Sequence, residues 1–275
     1  MTYIWVKVHT FLEGGIIKNI ERVAELLHDK KTIFVTGAGM STGSGIPDYR
    51  GKGMLSKNPL MADKFVEDHL YRKKFWLTAV RDWSGWLNAE PNDGHVAIAE
   101  MEHLTDNVVG VITQNVDGLH ERAGTFNLAE VHGNMFTSSC ILCERWYDQF
   151  DIVAKIRELN PGLDQKGYRV KSLVEPMCGS CGGFLKPDVV FFGDMLPEAE
   201  LQFAEEMAEQ ADAVVIAGTS MVVGTPHKYV NMVKSRGGPV VVINRGRTMV
   251  DDISTLKLKS ELSETLSELS SLLRK

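Results

Sequence analysis

Long apolar runs are missing from this chain. No stretch approaches the roughly 20 residues needed to cross a bilayer, so a membrane-spanning role is not expected. Cysteine is scarce, four in 275 residues, so the core must hold without a disulfide framework. Positive charge is not in excess either. Thirty Lys and Arg stand against 36 Asp and Glu, a net charge of -6, and nothing points to nucleic acid or an anionic membrane surface. The opening stretch "MTYIWVKVHTFLEGG" lacks the apolar region and small-residue cleavage site of a signal peptide, and the Arg-rich character of a transit peptide. The expected location is therefore cytoplasmic. No internal repeat and no low-complexity tract is visible. What remains is an ordinary globular composition, 44% hydrophobic and 24% charged, at a length that suits one large domain or one domain carrying insertions.

The apolar residues then supply the architecture. "IIKNIERVAELLHD" places Ile16, Ile20, Val23 and Leu27 on one helical face. The short β-branched runs "TIFVT", "NVVGVIT", "DVVFF", "DAVVIA" and "PVVVIN" read as buried strands, alternating with helices such as "GHVAIAEMEHL", "EAELQFAEEMAEQA" and a segment near 226–235. A closing helix carries Leu262, Leu266, Leu269 and Leu273 on one stripe. Strands of this kind alternating with helices predict an α/β fold, a Rossmann-like parallel sheet covered on both faces. Residues 53–95 hold several aromatics at helical spacing and no strand, and read as a helical insertion. Residues 138–186 are polar and loop-rich. The expected division is thus 1–52, 96–137 and 187–275 for the sheet domain, 53–95 for the insertion, and 138–186 for a small cysteine module.

The cysteines fall as Cys140-x-x-Cys143 and Cys178-x-x-Cys181, with 34 residues between the pairs. Thiols two apart on a tight turn converge on one tetrahedral ion. Two such knuckles make a four-cysteine zinc site, with two disulfides or free thiols as the plainer alternatives. Because all four ligands are protein sulfurs, the metal is expected to be structural.

Polar and small residues concentrate at the carboxyl ends of the predicted strands, where ligands bind in parallel sheets. "GAGMSTGSGIPDYR" follows the first strand, and Gly37, Ala38 and Gly39 let the backbone approach a diphosphate. Its third glycine, Gly43, arrives one residue late for the usual dinucleotide signature. Gln114, Asn115 and Asp117 end the second strand, Gly218, Thr219 and Ser220 the fourth, and Asn244 the last. Each group alone could be a cap or a solvated loop. His132 in "EVHGN" is the most reactive candidate among eight histidines, against the plainer alternative of a packed core residue.

Together, "GAGMSTGSGIPDYRG", "TQNVDGLHERAG", "VHGN", the paired CxxC, "VVFFGD", "AGTSMVV" and "VVVIN" occur in the order and spacing of sirtuins, and from about residue 20 onward the chain resembles that family. Sirtuins are NAD-dependent protein-lysine deacylases. The resemblance implies that His132 is a general base acting on a ribose hydroxyl, with Asn115 and Asp117 beside the nicotinamide and its ribose and Gln114 on the ribose. It further implies that Ala38, Asp48, Tyr49 and Arg50 line the cofactor loop, and that Gly218, Thr219, Ser220 and Asn244 hold the adenosine half. Val190, Phe191, Phe192 and Gly193 would take an extended acyl-lysine peptide by strand addition. Nicotinamide would leave and the acyl group would pass to ADP-ribose.

Three features depart from the family pattern. Asp194 stands where Phe-Gly-Glu is usual. Ala79 and Asp82 stand where some relatives acting on succinyl or malonyl groups carry Tyr and Arg, so a dicarboxylic acyl group lacks its bidentate partner. "NRGR" replaces the more usual acidic or proline-containing turn after the last strand. The alternatives are mono-ADP-ribosylation, a deacylase for a longer uncharged acyl group, and a zinc-ribbon scaffold that uses NAD only as a sensor ligand.

Overall fold

The computed structural model describes residues 19–48 and 59–274. Its main sheet contains β1 (Thr32–Thr36), β2 (Val108–Thr113), β3 (Leu128–Glu130), β7 (Ala213–Ala217), β8 (Val240–Ile243) and β9 (Leu256–Leu258). The order is β3-β2-β1-β7-β8-β9, and every pairing is parallel. β1, β7 and β8 are buried along their whole length, which is why they read as unbroken β-branched runs.

Successive side chains of these strands feed opposite cores. Phe34, Val111, Val215 and Val241 pack with Ile20, Val23 and Leu27 of α1 (19–27). The same core takes Ala97, Ile98 and Met101 of α4 (Asp93–Leu104), and Leu266 and Leu269 of α9 (Leu262–Leu273). Ile33, Val35, Ile112, Val214 and Ile216 instead meet Ala204, Met207 and Ala208 of α7 (Glu198–Gln210), with Tyr229, Val230 and Val233 of α8 (His227–Ser235). Ile16 lies outside the described residues.

A second sheet of order β5-β4-β6 joins β4 (Gly133–Cys140), β5 (Trp146–Asp148) and β6 (Leu185–Val189) in antiparallel pairs. Its core is shared with the aromatic segment between β1 and β2. Phe65 of α2 (Ala62–Glu67) and Trp76, Val80 and Trp83 of α3 (His69–Asn88) pack with Ile152, Val153 and Ile156 of α6 (Gln149–Leu159). Buried Arg72 crosses this junction. Its Nε pairs with Glu175 at 2.9 Å, its Nη1 donates to the carbonyls of Phe65 and Val66, and its guanidinium lies over the Phe184 ring.

Three sequence readings change. "DVVFF" does not end a strand of the parallel sheet, because β6 stops at Val189 and pairs with β4. The cysteine segment is less loop-rich than its composition suggests, since it contains the 11-residue α6, whose Ile152, Val153 and Ile156 recur at helical spacing. β3 and β9, three residues each, are too short to leave a periodic signal.

Candidate active site

Strand order reverses beside β1: the chain goes from β1 to β2 on one side and reaches β7 on the other. Ligands bind at such switch points, outside the carboxyl ends of the strands. The loops after β1, β2 and β7 meet there. Gly39 N–H donates to Gly218 O at 2.7 Å, and a Cβ on Gly39 would come 2.6 Å from that oxygen. A Cβ on Gly218 would come 2.4 Å from Met40 N, and its φ of +65° is one that glycine adopts without strain. The two loops therefore interlock as backbone on backbone. Gln114 spans them, its Nε2 donating to Thr219 Oγ1 at 2.9 Å and lying 3.4 Å from Thr36 O.

Beneath this floor lies a connected polar network. Buried Asn115 donates through Nδ2 to Gly37 O and to Ser41 Oγ, both at 3.1 Å. The Ser41 hydroxyl donates in turn to Asp117 Oδ2 at 2.6 Å, while Asp117 Oδ1 accepts at 3.0 Å from the N–H of Leu119, the first residue of α5 (Leu119–Arg122). Burial pushes the Asp117 carboxyl up, and the Ser41 and Leu119 hydrogen bonds oppose that push. His95 Nδ1 accepts from Asn92 N–H at 3.3 Å, so its proton sits on Nε2, 3.5 Å from Ser41 Oγ. The His95 and His120 rings meet edge-on at 4.8 Å. His120 Nε2 lies 2.9 Å from Thr36 Oγ1, whose own hydroxyl donates to Thr113 Oγ1 at 2.8 Å, so Nε2 carries the proton. His120 Nδ1 is buried without a partner among the described residues. Desolvation holds both imidazoles neutral, His95 down to about 4 and His120 well below its ordinary range.

His132 is half-buried on the turn between β3 and β4. Its Nδ1 lies 3.3 Å from Gln114 O, and a carbonyl can only accept, so Nδ1 carries the proton. Nε2 therefore bears the lone pair and faces the Thr225 hydroxyl at 3.4 Å. Burial lowers the His132 pKa, and the hydrogen bond to Gln114 partly restores it. A neutral imidazole with its lone pair on Nε2 is chemically a base. The turn is fixed on both sides. Val190 N–H donates to His132 O at 2.9 Å, and the Asn134 amide donates to both Glu130 oxygens at 3.0 and 2.8 Å.

Along 190–194, Phe191 is core, 2% exposed, with its ring 5.4 Å from that of Phe65. Phe192 is 50% exposed, but its backbone is engaged: N–H donates to Leu60 O and C=O accepts from Ala62 N–H. Asp194 accepts from Phe191 N–H at 2.7 Å and pairs with Lys186 at 2.8 Å, closing the turn at Gly193. A carboxylate one methylene shorter than the family's glutamate thus still has two partners.

The four cysteines converge. Their sulfurs all lie within 4.8 Å of one another, with separations of 3.4 Å for Cys140–Cys181 and Cys143–Cys181 and 3.6 Å for Cys143–Cys178. Zn–S bonds of about 2.3 Å in a tetrahedron put sulfurs roughly 3.8 Å apart, so this donor set is positioned to bind one zinc ion. Tyr147 supports it, donating to Cys178 Sγ at 3.0 Å while accepting from Gly179 N–H at 3.0 Å.

The sequence-predicted residues Gly37, Gly39, Gln114, Asn115, Gly218 and Thr219 are joined directly, and Asp117 enters through Ser41. Asn244 lies apart at the end of β8, with Nδ2 donating to Gly246 O. Tyr49 and Arg50 lie outside the described residues. Ser41, His95, His120, Glu130 and Thr225 were not singled out by sequence reasoning. Ser41 stands inside the glycine-rich loop, the one signal that could have found it.

Residues 37–225 match the Sir2 family. NAD-dependent protein deacetylase 1 of Mycobacterium avium (strain 104) is 34% identical over 271 residues, covering 92% of this chain and 94% of that protein. NAD-dependent protein lipoamidase sirtuin-4, mitochondrial, of Bos taurus is 32% identical over 273 residues, covering 93% and 86%. A solved structure of Sir2 with a p53 peptide and NAD+ superposes with a TM-score of 0.79 at 32% identity, covering 92% of this chain and 97% of that one.

Proposed function

The chain belongs to the Sir2 family, and on that footing we propose how its crevice works as an NAD-dependent protein-lysine deacylase. One observation carries the reading: a neutral imidazole, His132, faces the same strand ends as the Asn115–Ser41–Asp117 network, with its lone pair on Nε2. NAD, when bound, supplies an ADP-ribosyl group that loses nicotinamide and receives the acyl group. The turn Gly37–Ala38–Gly39 lets the backbone approach its diphosphate, with the Gly39 N–H itself committed to Gly218 O. Asn115 and Asp117, held by Ser41, set the polar wall beside the nicotinamide ribose, and Gln114 reaches the same ribose. Asp48, Tyr49 and Arg50 belong to the loop over that end. Gly218, Thr219, Ser220 and Asn244 take the adenosine half.

His132 Nε2 accepts the proton of a ribose hydroxyl. Its ring is aimed by the hydrogen bond from Nδ1 to Gln114 O. Val190, Phe191, Phe192 and Gly193 lead an acyl-lysine peptide to this point. Because both backbone groups of Phe192 are engaged by 60–62 and Asp194 N–H by Phe191 O, pairing with a peptide falls to the remaining backbone groups of this segment, Gly193 among them. The four-cysteine cluster holds zinc as a structural element, remote in role from the transfer. The division into sheet domain, helical insertion and cysteine module remains part of this proposal. No helix among the described residues is long and apolar enough to cross a membrane. A cytoplasmic location is the reading we favour.

A second reading, a preference for long uncharged acyl groups, is favoured by Ala79 and Asp82 on α3 and by the lipoamidase among the relatives. One experiment addresses both. The purified chain is given NAD+ and a lysine peptide carrying acetyl, propionyl, butyryl, lipoyl or succinyl groups, and free lysine, nicotinamide and O-acyl-ADP-ribose are followed. Equal amounts of the three products are expected from at least one uncharged substrate. Nicotinamide release with ADP-ribose attached to protein would instead identify an ADP-ribosyltransferase.

A further inference from the structure

Cations gather at the carboxyl ends of β8 and β9, in a chain whose net charge is -6. Ile243 pairs with Leu258, and Asn244 N–H donates to Leu258 O at 3.0 Å, so the residues after Asn244 leave the sheet abreast of Lys259. Those residues are Arg245, Gly246 and Arg247. The segment is built. Gly246 O accepts from Asn244 Nδ2 at 3.1 Å and from Lys257 Nζ at 2.8 Å. Lys257 holds both oxygens of Asp251 at 2.7 Å, and Asp251 in turn accepts from Thr248 N–H at 3.2 Å and from the Thr248 hydroxyl. Asp251 is thereby neutralised inside the turn. Arg245, Arg247 and Lys259 are left exposed, and none pairs with an acid among the described residues.

This turn is attached to the crevice. Met249 N–H donates to Ser220 O at 3.0 Å, tying 244–249 to the Gly218–Ser220 turn after β7. In dinucleotide sites an acidic side chain near the adenosine ribose accepts from its 2′-hydroxyl, whereas an arginine there accommodates a 2′-phosphate. Here glycine stands between two arginines; of the two acids that follow, Asp251 is held by Lys257, and Asp252 is exposed without an ion pair to Arg245, Arg247 or Lys259 among the described residues. Guanidinium groups bind phosphate by paired, charge-assisted hydrogen bonds.

We propose that Arg245, Arg247 and Lys259 form an anion subsite for a phosphate on the adenosine ribose, so that the crevice takes 2′-phosphorylated NADP+ in competition with NAD+. This rests on the assignment of Gly218, Thr219, Ser220 and Asn244 to the adenosine half. The ligand shares every other contact with NAD+; only the added dianion is read by the cations. Because the cations are exposed, their attraction is screened by salt.

The test is titration calorimetry of the full chain with NAD+ and with NADP+, separately and in competition, at low salt and at about 0.5 M salt. NADP+ is expected to bind at least as tightly as NAD+, to displace it, and to lose more affinity with salt. The double variant R245E/R247E should weaken NADP+ by about tenfold or more and change NAD+ by no more than about twofold. Its melting temperature serves as the check on folding, and K259E, made separately, should act in the same direction. Three results overturn the proposal: NADP+ binding more than about tenfold weaker than NAD+, NADP+ affinity unchanged in both variants, or NADP+ binding that leaves NAD+ in place. Binding of NAD+ with no binding of NADP+ defeats this inference alone. Failure of both dinucleotides to bind the folded chain defeats the crevice reading, and the inference with it.

Discussion

Two residues, Glu130 at the end of β3 and His132 on the turn that follows, carry opposite titration behaviour. His132 is held below its ordinary pKa of 6.5 by burial, so the neutral base is already present at neutral pH. The acid limb of kcat/KM for His132-dependent transfer should therefore lie below pH 6.5. His132→Ala should fold and still bind NAD+, while deacylation falls by roughly 10²–10⁴-fold, the usual range for losing a general base. A near wild-type rate in that variant would make His132 a packing residue.

Glu130, two residues earlier, is raised from 4.5 to about 7, chiefly by burial, with Glu121, Glu200 and Asp117 adding repulsion and Asn134 opposing it. The folded chain thus keeps a proton there that the unfolded chain releases above 4.5. Its contribution to stability is full below that value and is lost as pH rises toward 7. At 1.36 kcal/mol per pKa unit the swing is at most about 3 kcal/mol. Glu130→Gln keeps an acceptor for Asn134 and removes the titration. Its melting temperature should exceed that of wild type near pH 8 and converge with it near pH 4, as followed by circular dichroism. An unchanged difference across that range would show that Glu130 is not the titrating group.

The element that depends most on a group outside the polypeptide is the cysteine cluster. Elemental analysis after exhaustive dialysis should find about one zinc per chain, and Cys178→Ala should lose it and unfold the β5-β4-β6 sheet at lower temperature. Tyr147 gives a finer test, because it fixes Cys178 Sγ without being a ligand. Tyr147→Phe should leave the fold intact and weaken zinc retention against a chelator by about tenfold to a hundredfold, the usual effect of removing a ligand's outer partner. Loss of zinc should also loosen α3, since Cys140 and Cys178 lie in one core with Trp76, Val80 and Ile156. The sequence showed the metal because CxxC spacing is local. It did not show the shared core, which joins residues about eighty positions apart through packing alone.

Substrate choice belongs to the whole molecule, because in the proposed function the acyl group passes between the proposed helical insertion and the sheet domain. Ala79 offers no hydrogen bond, and Asp82, also on α3, is a carboxyl raised by burial against the pull of Arg81. Neither can pair with a second carboxylate, and an unpaired buried charge is costly. Catalytic efficiency on a succinyl-lysine peptide should fall about tenfold or more below that on the acetyl peptide. Comparable efficiency would mean that another cation meets the acyl carboxylate.

What the sequence determined by itself is whatever depends on neighbours in the chain: the buried strands β1, β2, β7 and β8, the leucine stripe of α9, the paired CxxC knuckles and the glycine-rich turn. These follow from side-chain period and backbone freedom, which act over a few residues. Only the tertiary structure decided that Ser41 lies between Asn115 and Asp117, that His132 is held in one tautomer by Gln114 O, and that Lys257 takes Asp251 while Arg245 and Arg247 pair with no acid among the described residues. Hydrogen bonds and ion pairs are short-ranged in space and indifferent to separation along the chain. They come into being only when parallel strands bring their carboxyl ends to one edge.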